Sequence, residues 1–169
     1  MYLRKKVAEM KRQKMLFDFA SAKHVGVLCS PHDELTTGQV KGFLRYLSQK
    51  GIKYSVFGYF DGKEIPENFL YWKEMDFITR QDINFFFIPK NTVVEKFIAE
   101  PFDLLINCSI NHYFPMEYIA QLSKAKCKVG VKHENETYYD LMIDIQKNKT
   151  VDFFLKNLEI YLSNLRHSE

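Results

Sequence analysis

The sequence predicts an α/β fold: one mostly parallel sheet flanked by helices. Three observations predict it. Short apolar runs, HVGVLC, KYSVFGYF, DLLINC and CKVGV, recur along the chain and are bounded by turn residues, which is how strands read. Between most of them lie segments of helical period. Strands separated by helices of about 10–15 residues imply crossover connections and a parallel sheet covered on both faces. The 169 residues also suit one domain, and no repeat, low-complexity segment or Pro/Gly/Ser linker divides them. The expectation is a single Rossmann-like domain over residues 23–169, preceded by a basic helical arm over residues 1–22.

The arm comes first. In YLRKKVAEMKRQKMLFDF, Leu3, Val7, Met10, the stem of Lys14 and Phe17 or Asp18 recur at helical spacing, which predicts a helix with a narrow apolar stripe and a wide basic face. Residues 1–14 hold six Lys or Arg against one acid, Glu9. The arm is therefore +5, and the body carries −2 of the total +3.

HVGVLC, residues 24–29, is the first core strand, ended by SPHDE. Thr36 or Thr37 is expected to cap the next helix, on which Val40, Phe43, Leu44 and Leu47 share a face; Gly51 ends it. KYSVFGYF, residues 53–60, is the second strand. NFLYWKEMDFIT, residues 68–79, reads as an edge strand because charges interrupt its aromatics. RQDINFF is expected to form a short helix, and Asn91 or Thr92 to cap another carrying Val93, Val94, Phe97 and Ile98, which Pro101 breaks. DLLINC, residues 103–108, is a further core strand. Pro115 opens a helix with Met116, Tyr118, Ile119 and Leu122, and CKVGV, residues 127–131, is the next strand. YYDLMIDI, residues 138–145, is another apolar segment. A terminal helix over residues 151–165 presents Phe154, Leu155, Leu158, Tyr161, Leu162 and Leu165 as its buried stripe.

Several function classes are disfavoured. No apolar run approaches the roughly 20 residues of a membrane span, and cations interrupt the N-terminus where a signal peptide would be apolar, so the expected compartment is the cytoplasm. Cys29, Cys108 and Cys127 form no CxxC and lie in or beside apolar runs, which makes them buried thiols rather than a redox or zinc site. A dinucleotide site needs glycines after the first strand, whereas this turn reads CSPHDEL; neither a P-loop nor a GxSxG elbow is present. No catalytic residue, metal or cofactor is assigned.

Two candidate sites remain. In an open parallel sheet, ligands bind beyond the carboxyl ends of the strands. The loops SPHDE, SINHYF and KHENET there supply His32, Asp33, Glu34, Asn111, His112, Lys132 and His133, a set able to form an acid/base or small-ligand site if the loops converge. The second candidate is the arm, whose Arg4, Lys5, Lys6, Lys11, Arg12 and Lys14 can meet an anionic partner: nucleic acid, the ribosome or an acidic protein. The preferred expectation is a non-catalytic binding or adaptor domain working through the arm. The alternative is a small ligand-binding protein or enzyme working through the loops.

The elements FFIPK, FDLLIN, FPMEYIAQLSKAKCKVGV and YYDLMID, in that order, resemble a family of small uncharacterised Bacteroidetes proteins, a domain of unknown function. The resemblance covers most of residues 23–165 and implies no activity. Residues 102–131 also look like the strand–helix–strand unit in the N-terminal half of heptosyltransferase-type glycosyltransferases. Those enzymes bind the nucleotide sugar in a second Rossmann-like half, for which this chain is too short.

Overall fold

The computed structural model describes residues 2–134 and 138–165. The positions Asn135, Glu136 and Thr137 of the KHENET loop, Met1 of the arm and the last four residues lie outside that range.

Six strands, β1 (His24–Cys29), β2 (Lys53–Phe60), β3 (Met75–Thr79), β4 (Leu104–Asn107), β5 (Cys127–Val131) and β6 (Leu141–Ile143), form one sheet in the order β3-β2-β1-β4-β5-β6. Every pairing is parallel. This is the doubly wound Rossmann-like arrangement, with strand order reversing between β1 and β4. Beyond the half-buried His24, β1 is buried along its length, and β4 is buried throughout, because helices cover both faces.

The strand alternation sorts the core into two layers. On one face α2 (Glu34–Gln49) and α5 (Val151–Asn164) pack over Val25, Val27, Leu104, Ile106 and Val129. On the other, α3 (Thr92–Ala99) and α4 (Phe114–Leu122) pack over Leu28, Phe57, Ile78 and Leu105, and Leu3 and Val7 of α1 (Tyr2–Glu9) join them. Cys29, Cys108 and Cys127 are all buried free thiols. Burial pushes Cys29 up to about 12 and Cys127 up to about 11, so both stay protonated and inert.

Four local expectations change. The Asp33 carboxylate, rather than Thr36 or Thr37, caps α2 by accepting the Thr36 N–H at 2.6 Å; both threonines are buried within the first turn. Residues 80–82 make only a 3-10 turn capped by Thr79. The rest of the expected short helix is a tight loop closed by a bridge between Ile83 and Pro89. On α5 the buried stripe is Val151, Phe154, Leu158 and Leu162, while Tyr161 and Leu165 are exposed.

The fourth change concerns the arm. Its helix stops at Glu9, and the chain continues as an extended strap, because tertiary bonds there outweigh helical propensity. Arg12 reaches Asp140, the Met15 N–H donates to the Lys126 carbonyl at 3.1 Å, and Lys126 lies over the Phe17 ring. Phe19 then enters the opposite core layer, edge-on to Phe43 and Tyr46 at 5.9 and 5.6 Å. The strap thus leads from the α4 face past the start of β5 to the α2 face. Asn91 caps α3 as expected, accepting the Val93 N–H at 3.1 Å, and Gly51 adopts φ +71 at the end of α2.

Candidate functional site: the cleft beneath the arm

The crevice at the strand-order reversal is filled by side chains. Ser30 Oγ lies 3.3 Å from Ser109 Oγ across it, and Asn107 Nδ2 donates to the Tyr139 hydroxyl at 2.7 Å. Two spaces remain beside these residues, of about 20 and about 10 Å³. Each has room for something on the order of one water molecule.

The loop residues only partly converge. The rings of His112 and His133 meet edge-on at 5.7 Å, and His112 Nε2 lies 3.1 Å from a Glu117 oxygen. Asn111 borders both small spaces. His32 borders only the second; it is exposed, with its ring nitrogens 3.4 Å from Asp33 and from the Ser30 carbonyl. The Asp33 carboxylate is occupied with the helix cap, Glu34 is exposed at the start of α2, and Lys132 faces Asp144 at 3.6 Å. Among the described residues, no three His, Cys, Asp or Glu side chains are grouped to hold a metal ion.

The large opening lies elsewhere. A cleft of about 1250 Å³ separates the arm from the body. Leu3, Val7 and Met10 line its arm side, Phe114 and Gln121 of α4 its floor, and Phe86 and Ile88 its far wall. Its charged lining is Arg4, Arg12, Lys14, Lys90 and Lys128 against one acid, Glu117. Three of the six arm cations, Arg4, Arg12 and Lys14, line the cleft; only Arg12 has its side chain withdrawn from solvent, and the other five are exposed.

Asp140 holds this wall in place. One of its oxygens takes Arg12 Nη2 at 2.5 Å, with Lys14 Nζ at 3.5 Å; the other accepts the Lys128 backbone N–H at 2.8 Å. The Arg12 side chain is only 7% exposed, and its Nη1 has no hydrogen-bond partner among the described residues. A buried charged donor left without an acceptor costs free energy that a bound anion can recover.

Lys128 is the second unusual group. It is 2% exposed on β5, where strand alternation turns it toward α4, and its Nζ donates to the Gln121 carbonyl at 2.8 Å. Burial, reinforced by the neighbouring Arg12 and Lys14 charges and partly offset by Asp140, lowers its pKa to about 7. Neither Lys128 nor Asp140 is among the residues the sequence singles out. A signal existed: CKVGV is a strand buried on both faces, and one lysine within it is anomalous. The arrangement sets a fixed guanidinium charge, Arg12, and an amine whose pKa is lowered to about 7, Lys128, beside apolar walls.

No helix of the described residues is long and apolar enough to cross a membrane. A family model described as a family of unknown function (DUF6913) matches residues 1–165, spanning arm and body together. No curated protein matches the chain.

Proposed function

The chain belongs to that family of unknown function, and from its cleft we propose that it is a non-catalytic binding domain that receives an anionic partner between the arm and the body. The observation that carries this reading is the pairing of buried Arg12 with buried Lys128 on a wall whose charged lining is five cations and one acid. The arm acts as one side of the site rather than as a free tether. The reading places its action in the cytoplasm.

RNA, a ribosomal surface and an acidic protein all present the needed charge. Single-stranded RNA suits the cleft best, because Tyr2, Phe86, Phe114 and Tyr138 lie among the cations and give bases a surface to stack on. Titration of the full chain with an oligouridylate, an acidic peptide and inorganic polyphosphate tests this. Salt-sensitive binding of the oligouridylate, lost in Lys128→Met, supports the reading; binding of the peptide alone moves the partner to protein. Failure of all three to bind at low salt removes it.

A second reading rests on the His112–Glu117 approach at 3.1 Å beside His133, an acid/base cluster at the strand ends. It predicts that His112→Ala abolishes ligand binding while loss of Lys5 and Lys11 is silent.

A further inference from the structure

The loop opposite the arm carries three consecutive phenylalanines. Phe85, Phe86 and Phe87 are 90%, 72% and 64% exposed, a run of apolar side chains that solvent alone does not favour. The loop is nonetheless tightly built. The Asn84 side chain accepts the N–H groups of Phe86 at 2.9 Å and Ile88 at 3.0 Å, and the Asn84 carbonyl accepts the Phe87 N–H at 2.9 Å. The Asn84 N–H donates in turn to the Ile88 carbonyl, and the Ile83–Pro89 bridge closes the base. Phe87 adopts φ +59, the one non-glycine residue with positive φ among the described residues. A bulky aromatic rarely takes that conformation, and such strain persists where the surroundings enforce it.

Cations border this loop on the side that faces the arm, while the acid at its base, Asp82, is bonded to Thr79 and Asn91. Phe86 shares the cleft rim with Arg4 and Lys90, and α1 exposes Lys5 and Lys6. We propose that the Phe85–Phe87 loop and the basic face of α1 together dock onto the surface of an anionic phospholipid membrane. The phenylalanine rings enter the boundary between headgroups and acyl chains, and the cations meet lipid phosphates.

Two features favour a membrane over other occupants. The N–H groups of Phe86, Phe87 and Ile88 are satisfied within the loop, so these three donors do not depend on water. A second copy of the chain is disfavoured, because pairing through this loop would bring two clusters of Arg4, Lys5 and Lys6 together. Phe86 and Arg4 also line the cleft, whereas Phe85, Lys5 and Lys6 do not, so the two readings share only part of this surface.

Vesicle co-sedimentation of the full chain tests it. The wild type is expected to sediment with vesicles of phosphatidylcholine mixed with phosphatidylglycerol, less so as salt rises, and not with phosphatidylcholine alone. Phe85→Ser with Phe86→Ser is expected to lower partitioning by about tenfold or more, as loss of apolar burial requires. Lys5→Glu with Lys6→Glu should remove the preference for phosphatidylglycerol. Failure of the wild type to sediment with the anionic vesicles overturns the proposal, as does unchanged sedimentation of the phenylalanine variant. A dimer in sedimentation velocity that the serine substitutions abolish assigns the loop to self-association instead. Oligouridylate titration without vesicles reports the cleft, and Phe85→Ser alone, at a residue outside the cleft lining, should lower vesicle partitioning while leaving that titration unchanged.

Discussion

Asp140 grips Arg12 at 2.5 Å while its other oxygen takes the backbone N–H of Lys128, so one carboxylate ties the arm to β5. The side chains of the pair are 7% and 12% exposed, which puts it in the regime where removing one partner strands the other. Asp140→Ala leaves Arg12, Lys14 and Lys128 without their common acid and is expected to cost about 3 kcal/mol or more. Arg12→Met should cost less, because Lys14 and the Lys128 N–H still satisfy Asp140. Denaturant unfolding gives both values. Trypsin should also cut the Asp140→Ala variant faster at Lys11 and Lys14, since the strap opens; equal cleavage rates would show that the pair does not hold the arm.

Lys128 sets a pH dependence with a definite sign. Its folded pKa is about 7, below the 10.5 of a free lysine, so between those values the unfolded chain binds more protons. This residue therefore makes stability rise as pH increases from about 7 toward 10, with no contribution to the slope below 7, where both states are protonated. Lys128→Met should flatten that part of the curve. Ligand binding runs the opposite way: an anion favours the ammonium form, so affinity is highest below about pH 7 and falls above it. Calorimetric titration with polyphosphate in two buffers of different ionisation enthalpy should show proton uptake in the wild type and none from this site in Lys128→Met.

The arm's two halves predict different truncations. Among the described residues 2–11 no side chain is fully buried, so deleting residues 1–11 should leave a folded body whose anion binding is weakened by loss of Arg4 and of one cleft wall. Deletion through residue 20 also removes Phe17 and Phe19, and Phe19 is only 7% exposed against Phe43 and Tyr46. Its loss is expected to cost about 3–5 kcal/mol, as large buried aromatics do. Thermal unfolding of the two truncations separates the outcomes. A body that tolerates both deletions equally would mean that Phe19 contributes nothing to the core.

The strands were legible because their runs are continuously apolar: HVGVLC, KYSVFGYF and CKVGV match β1, β2 and β5 residue for residue. The end of α1 was not legible. Met10, Lys14 and Phe17 keep helical spacing, and only the distant partners Asp140 and Lys126 pull the strap straight. The same distance hid the site. Arg12, Lys128 and Asp140 are far apart in sequence, and a spacing argument reaches no further than one element. The arm's charge pointed to Arg4, Arg12 and Lys14, which line the cleft, but whether a basic residue borders a cleft depends on packing.

Gly130 marks a close approach within the sheet that can be tested directly. A Cβ built there would lie 2.3 Å from the Tyr139 ring, which rests against the β5 backbone. The ring cannot simply swing away, since its hydroxyl accepts from Asn107 Nδ2 at 2.7 Å and Asn107 in turn accepts the Ser109 N–H at 3.0 Å. Gly130→Ala must therefore either bend β5 or break this buried chain of hydrogen bonds, and overpacking of this kind costs about 1–3 kcal/mol. Tyr139→Phe keeps the ring and leaves Asn107 short of an acceptor, at a cost of about 1 kcal/mol. If the clash is with the ring, Gly130→Ala combined with Tyr139→Leu should be less destabilised than the sum of the two single changes, because the smaller side chain frees the space. Strict additivity in denaturant unfolding would show that the alanine strains the strand by another route.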